Sequence, residues 1–452
     1  VRNGKTNIIS ASATLLLFSN VLYAGGFGIT VQSASGGGNA ATGYVMAEDA
    51  SSMWYNPALL SSVKGTQINA GISYTGADIS VVNTGSVQPS AAGGFPVIGE
   101  NEASPANSAI VPSFYYKNDI NESYAFGLGI NAPFGISTEY EKDSFARYEA
   151  TESGLTVINI NPAISWKYTA KLHFGAGINI QHGDALLARA IDGTLVCNSI
   201  GVSDCSGFSG FSNQSTDSQV SIEASDIGYG FNLGLAYHPD ESTTLSLAYR
   251  SRIKYQLEGR ADFTHTELAN VGEALLQTAG LADQGATADL EMPSSFSMAF
   301  ASQVNDKLTL HADVTWTEWS TIPEIRVVFP DSVAGDSVTD LQWQNTIRVG
   351  AGIAYDLSDD TRIRAGIAVD PTPTPSATNR TPRAPSNDTT WYALGVGQQI
   401  DDKISLDFSM SLIVLDDYSV NYRSPGDADY LSRADVESEA FNTALSLNYK
   451  FN

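Results

Sequence analysis

The chain has 452 residues, 16% of them charged, and a formal net charge of −25. That acidity speaks against binding nucleic acid or anionic polymers, and no run of 18 or more apolar residues follows the N-terminus, so no transmembrane helix is available. A mean hydropathy of −0.09 does not argue for a water-soluble protein, because strands that alternate apolar and polar residues average to near zero.

Residues 1–24 have the layout of a secretory signal: Arg2 and Lys5, then an apolar stretch from Ala13 to Leu22, then Ala24 as the best cleavage residue. Removing them takes away two basic residues and no acids, moving the net charge from −25 to −27. The stretch 25–62 is rich in Gly, Ala and Ser and has no period-2 pattern. It is long enough for a few helical turns but not for its own core. We read it as an extension packed inside the rest of the chain, a flexible tail being the alternative.

Residues 63–452 then alternate apolar and polar side chains in fourteen runs, at 66–82, 109–117, 123–131, 155–168, 172–187, 225–238, 243–260, 293–304, 308–319, 341–356, 361–370, 389–400, 404–420 and 438–451. The gaps are by turns three to five residues and roughly 17 to 40 residues. Short turns on one side and long loops on the other describe an all-β, transmembrane antiparallel barrel of about 14 strands in the outer membrane of a Gram-negative cell. The short gaps, such as Thr169-Ala170-Lys171, Asn305-Asp306-Lys307 and Asp401-Asp402-Lys403, carry turn-forming residues and belong on the periplasmic side. In the ninth run Leu308, Leu310, Ala312, Val314 and Trp316 oppose Thr309, His311, Asp313, Thr315 and Thr317. A charge facing lipid at mid-membrane costs about 2–4 kcal/mol, so the polar face points into the lumen.

Cys197 and Cys205 are the only cysteines and share one long polar loop. In a secreted chain a disulfide between them is expected, two free thiols being the alternative. In the loop 261–292, Leu268, Val271, Leu275 and Ala279 recur at helical spacing with Leu276 beside them, and Thr264 with Glu267 fits a capping box. At a barrel mouth such a helix offers an apolar ligand-binding groove, or packs against its own rim. No phosphate-binding loop, zinc motif or nucleophile elbow is present. The expectation is therefore a non-enzyme without metal or cofactor.

Several ordered segments carry a resemblance. They are Gly26-Phe27-Gly28, Ser33-Ala34-Ser35 and Ala47-Glu48-Asp49-Ala50-Ser51-Ser52, then Tyr55-Asn56-Pro57-Ala58-Leu59, Asn131-Ala132-Pro133-Phe134-Gly135, Ala248-Tyr249-Arg250-Ser251, Trp316 with Trp319-Ser320, and Gly366-Ile367-Ala368-Val369-Asp370. Together they resemble the long-chain fatty acid transporter family of outer-membrane proteins (FadL/TodX type), over essentially the whole mature chain. The segment Pro385-Ser386-Asn387-Asp388-Thr389-Thr390 and the terminal Asn452 depart from that pattern.

The resemblance implies that 25–62 is a hatch plugging the lumen, with Phe27, Asn56, Pro57, Ala58 and Asp370 in hatch anchoring and gating, Asp370 sharing a polar face with Arg362 and Arg364. It implies an inward kink of the third strand, here at Asn131, Ala132, Pro133, Phe134 and Gly135, that opens the wall sideways. It places basic ligand contacts near Arg189 and Arg326. The implied function is uptake of long-chain fatty acids or similar hydrophobic compounds by passive diffusion through an apolar lumen pocket. A hydrocarbon channel of the same fold and a permanently plugged structural or adhesive barrel are the alternatives. A lumen cation beside the apolar pocket favours fatty acids over hydrocarbons. The implied partners are the hydrophobic ligand, outer-membrane lipid and lipopolysaccharide, and the barrel-assembly machinery, with the protein a monomer.

Overall fold

The computed structural model describes residues 25–90, 93–193, 217–265, 280–330, 335–425 and 429–451. Fourteen barrel strands follow in chain order. They are β1 Gln67–Asn83, β2 Ala109–Asp119, β3 Tyr124–Glu139, β4 Glu152–Lys167, β5 Leu172–Ile191 and β6 Ser218–Tyr237, then β7 Thr243–Arg250 continuing as Ile253–Thr264, and β8 Gln284–Met292 continuing as Ser295–Gln303. The remainder are β9 Leu308–Thr317, β10 Thr346–Asp356, β11 Thr361–Asp370, β12 Thr389–Gln399, β13 Ile404–Leu415 continuing as Tyr418–Arg423, and β14 Leu431–Lys450. Each pairs antiparallel with its chain neighbours, and β1 closes on β14 from Gln67 opposite Lys450 to Asn83 opposite Ala434. Closure leaves no sheet edge, which is what lets a β-structure cross hydrocarbon.

The barrel is inside-out relative to a water-soluble domain. On β9 Leu310 and Val314 are exposed while His311 and Asp313 are buried; on β13 Leu406, Phe408, Met410 and Leu412 are exposed while Asp407, Ser409 and Ser411 are buried. Near the short turns Tyr124 stacks on Trp166 at 6.2 Å and Trp166 meets Tyr168 at 4.9 Å. These rings are amphipathic and suit a membrane interface.

The long-loop ends differ from the sequence reading. The fourth, sixth, eighth and fourteenth strands start at Glu152, Ser218, Gln284 and Leu431 rather than at 155, 225, 293 and 438. Exposed positions there carry Asp184, Glu223, Glu258 and Arg260. Above the lipid the outer face is wet, so the apolar signal stops while the hydrogen-bond ladder continues. The expected loop 261–292 shrinks accordingly: Thr264 pairs with Gln219, and 284–292 pair with 253–261. Thr264 is thus a strand residue rather than a helix cap. Leu268, Val271, Leu275, Leu276, Cys197 and Cys205 lie outside the described residues, as does the expected signal segment.

Residues 25–62 occupy the lumen, almost all of them buried, as four short helical pieces: Ala34–Gly37, Gly43–Met46, Ser52–Tyr55 and Pro57–Ser61. Small residues allow this close fit, and polar side chains on the wall hold it. His311 bonds to Asn39 at 2.9 Å and Thr42 at 2.8 Å, and Glu48 is gripped by Arg362 and Arg364.

Candidate functional site: a lumen plug, a kinked strand and two cavities

Asn56 fastens the plug to the wall. Its Oδ1 accepts from Ala58 N at 2.8 Å and so caps the Pro57–Ser61 turn, with Pro57 at the first helical position where no N–H is missed. Its Nδ2 donates to Ser246 Oγ at 2.6 Å, Leu247 O at 3.0 Å and Leu235 O at 3.1 Å, bridging β6 and β7 from the inside. The approach is possible because Gly234 lies under the Asn56 amide and Gly175 under the Pro57–Ala58 peptide; a Cβ at either position would collide with them.

β3 is irregular between Asn131 and Phe134. Its pairing with β4 shifts between Asn131 and Phe134, so that Ala132 and Pro133 oppose the single residue Ile158. Its pairing with β2 ends at Ile130 opposite Phe114. Pro133 has no N–H to give to a ladder, and a bulge is where a strand tolerates it. Past the bulge residues 133–138 are buried on both faces, which marks a strand turned into the lumen. The freed edge is taken by the plug: Ile29 N donates to Pro133 O and Gly135 N to Phe27 O, both at 2.9 Å. Gln32 Nε2 donates to Ala132 O at 2.9 Å, and Asn131 Nδ2 donates to Gln32 Oε1 at 2.9 Å. Backbone groups released by the kink are thereby satisfied without water.

Two cavities flank this junction. The outer one, about 70 Å³, is lined mainly by aliphatic side chains, among them Leu155, Leu187, Ile222, Leu257, Leu290 and Val327. The inner one, about 170 Å³, is mixed, with Tyr55, Tyr249, Arg250, Asp313, Arg348 and Asp370 in its wall. Phe27 lines the outer cavity, and Phe134 and Trp319 the inner one. Between them Phe27 packs on Trp343 at 4.8 Å and on Trp319 at 6.3 Å, and Phe134 meets Trp319 at 6.3 Å. The partition between the cavities is aromatic and includes the third residue of the plug.

Among the described residues one cation lines the apolar cavity. Arg383 lines it from the loop between β11 and β12 and is buried. Its Nη1 donates to Ser153 Oγ at 3.1 Å, while its Nε is buried without a partner. Among the described residues no carboxylate lies within ion-pair distance of it. Burial pulls the guanidinium down to about 10, against the pull of Glu149. Glu149 is itself buried, with Oε1 unpartnered. Burial pushes its carboxyl up to about 7, against the fields of Arg383 and Arg189.

The site residues read from the sequence scatter across this frame. Phe27 meets the kink at Asn131–Gly135, whereas Asn56, Pro57 and Ala58 lie against β5, β6 and β7. Asp370 shares a strand face with Arg362 and Arg364 but not their contacts: those arginines hold Glu48, Asp356 and Asp407, whereas Asp370 lies beside Gly25. Arg189, on β5, is half-buried and electrostatically close to Glu149 and Arg383. Arg326 lies on a small hairpin outside the barrel wall, Glu324–Val327 with Ser337–Asp340, where it is exposed and paired to Glu324 at 2.7 Å and Asp336 at 2.8 Å. A saturated surface guanidinium is not a ligand contact for either cavity. Arg383 and Glu149 escaped the sequence reading because they sit in loops without periodicity, the prolines flanking Arg383 being the one local sign of a fixed backbone; Trp343 fell within the run read as 341–356, whose strand begins only at Thr346.

The chain is similar to known proteins over nearly its full length. A family model for outer membrane protein transport protein (OMPP1/FadL/TodX) matches residues 15–451. Outer membrane protein P1 of Haemophilus influenzae is 26% identical, over 99% of this chain and 100% of that protein. The long-chain fatty acid transport protein of Escherichia coli is 23% identical, over 97% of each. The fold matches that of a Pseudomonas aeruginosa FadL homologue with a TM-score of 0.84 at 23% identity, covering 94% of this chain and 100% of that one. It matches the toluene transporter TodX of P. putida with a TM-score of 0.64 at 19% identity, covering 89% and 94%. A closed fourteen-stranded barrel, a plugged lumen and a family match across its length together make this chain a member of the OMPP1/FadL/TodX family of outer-membrane transport proteins.

Proposed function

We propose that the protein takes up long-chain fatty acids, or similar hydrophobic compounds with an anionic head, across the outer membrane by passive diffusion. The observation that carries this reading is Arg383, a buried guanidinium in the wall of a mainly aliphatic cavity, with no carboxylate within ion-pair distance of it among the described residues. Burying an acyl chain is worth about 25 cal/mol per Å² of apolar surface, and a charge-assisted hydrogen bond to the head adds roughly 1.5–3 kcal/mol. A hydrocarbon uses only the first of these, and nothing in its chemistry calls for a buried cation.

A cavity of about 70 Å³ is far below the roughly 300–1,000 Å³ of ordinary ligand pockets. The structure is therefore read as a closed state. Phe27 separates the two cavities, and its backbone covers the kinked strand. Its withdrawal joins the cavities and uncovers the gap between β2 and β3, giving an apolar molecule a route into the membrane that avoids the polar lumen below. The cavities also support transport over a permanently filled structural barrel.

The test is uptake of radiolabelled long-chain fatty acid by cells with and without the gene, beside a neutral hydrocarbon of similar length. Loss of fatty acid uptake alone in the deletion strain supports the reading. Loss of hydrocarbon uptake alone replaces it with the hydrocarbon channel, and no loss of either leaves the structural barrel.

A further inference from the structure

The foot of the plug rests on two histidines. At the short-turn end of the barrel His173, on β5, is buried, and His238, half-buried, follows the last residue of β6; their ring centroids are 4.8 Å apart. His173 Nδ1 lies 3.0 Å from Ser61 Oγ and 3.2 Å from Ser62 Oγ. His238 Nε2 lies 3.3 Å from the same Ser62 Oγ, and its Nδ1 lies 3.0 Å from Thr244 Oγ1 on β7. One plug hydroxyl is thus shared between two imidazoles. Ser61 extends the contact, because Ser165 Oγ on β4 lies 2.9 Å from both Ser61 Oγ and Ala58 O.

These contacts suit two neutral rings and no imidazolium. His173 Nε2 is buried without a partner. In a neutral His173 the proton sits on Nδ1, facing the serine hydroxyls, and Nε2 keeps a bare lone pair. An imidazolium carries a proton on both nitrogens. The second proton would then be buried on Nε2 with nothing to accept it, which is costly for a charged group.

No acid offsets that cost. Among the described residues no carboxylate lies within ion-pair distance of either ring, the one histidine ion pair being His182 with Asp184. The charge that reaches both rings is that of Lys167 on β4, which stands opposite His173 in the ladder and has the sign of an imidazolium. The remaining charged groups of the adjoining turns and plug are engaged elsewhere or exposed. Lys171 Nζ donates to Pro239 O, Asp240 Oδ1 accepts from Ser242 N, and Lys64 and Glu241 are exposed.

We propose that His173 and His238 form an acid-sensitive clasp, which holds the foot of the plug while both rings are neutral and lets go when they take up protons. A ring freed into water protonates near its ordinary value of about 6.5. A ring held neutral in the clasp and protonated on release makes holding about tenfold less favourable for every pH unit below that value. The hold is therefore complete above about 6.5 and is lost as the pH falls. Two rings acting together give up to about a hundredfold per unit. What comes free is the base of the Pro57–Ser61 turn, since Ala58 rests on Gly175, two residues from His173. The clasp grips the opposite end of the plug from Phe27 and is independent of ligand identity.

The test is amide hydrogen exchange of the full protein in detergent micelles, read by mass spectrometry on peptides covering residues 57–63. Exposure times are corrected for the pH dependence of the exchange chemistry itself. Exchange there should be at least about tenfold faster at about pH 4.5 than at about pH 7.5, while the barrel strands β9 to β13 keep their protection. His173→Gln combined with His238→Gln retains polar side chains that take up no proton, and should remove most of the acid step. Lys167→Met deletes the like charge, so the step should move to higher pH by roughly half a unit. Equal protection at the two pH values would overturn the proposal. So would an acid step that survives intact in the double glutamine variant, which would assign it to Glu48 and its arginines instead. If the double variant is already loose at neutral pH, Lys167→Met decides, and a step that does not move overturns the clasp.

Discussion

Asn56 Nδ2 donates to Ser246 Oγ at 2.6 Å, so one plug side chain reaches into the seam between β6 and β7 and bonds two wall carbonyls beside it. Asn56→Ala removes these bonds and the cap on the Pro57–Ser61 turn. Losing such a bond and leaving its buried acceptor unsatisfied costs about 1–3 kcal/mol, borne by the plug rather than by the barrel ladder. We expect a barrel that keeps its heat-resistant mobility on gels and shows reduced uptake. Unchanged uptake at equal expression would remove Asn56 from the anchoring role.

Arg383→Met keeps the bulk and apolar stem but deletes the charge. Fatty acid affinity should fall by roughly ten- to 150-fold, the equivalent of about 1.5–3 kcal/mol. A neutral hydrocarbon probe should bind as before. Equal effects on both, measured by ligand titration of the purified protein, would show that Arg383 serves packing rather than recognition.

Glu149 makes that recognition depend on pH. Its carboxyl is pushed up to about 7 by burial. Below that value Glu149 is neutral and leaves the field of Arg383 to the ligand. Above it Glu149 is ionised and competes. Affinity for an anionic ligand should therefore decline several-fold as pH rises from 6 to 8, and Glu149→Gln should flatten the profile at its high-affinity level. A profile that rises with pH, or is unchanged in the variant, counts against the competition.

Gly28 faces Phe134 across the plug–kink junction as a non-hydrogen-bonded antiparallel pair. Such pairs have Cα atoms about 4.5 Å apart, within disulfide reach. With Cys197 and Cys205 replaced by serine, a Gly28→Cys, Phe134→Cys protein should be blocked for uptake when oxidised and restored by reductant. Full-rate uptake through the cross-linked barrel would show that the ligand leaves without displacing the N-terminal segment, and would overturn the sideways route.

The strand count, the short-turn side and the lumen face were legible in the sequence, because the lipid belt imposes a strict two-residue alternation that Leu310 against His311, or Phe408 against Asp407, displays without any structure. The same physics explains where legibility stopped. Above the lipid no apolar face is required, so the starts of β6 at Ser218 and β8 at Gln284 left no periodic mark. The kink at Asn131-Ala132-Pro133 was an expectation from the family resemblance, because the alternating run itself stops at Asn131 and Pro133 beyond it marks only a place where pairing weakens. Its partner was not legible: the pairing of Ile29 with Pro133 joins residues about a hundred positions apart, and nothing local encodes it. The apolar cavity's cation was decided by the tertiary structure in the same way. Arg326 and Arg383 are alike as loop arginines in the sequence. Only the fold surrounds one with Glu324 and Asp336 in solvent and presses the other into a mainly aliphatic wall, with no carboxylate in ion-pair distance among the described residues.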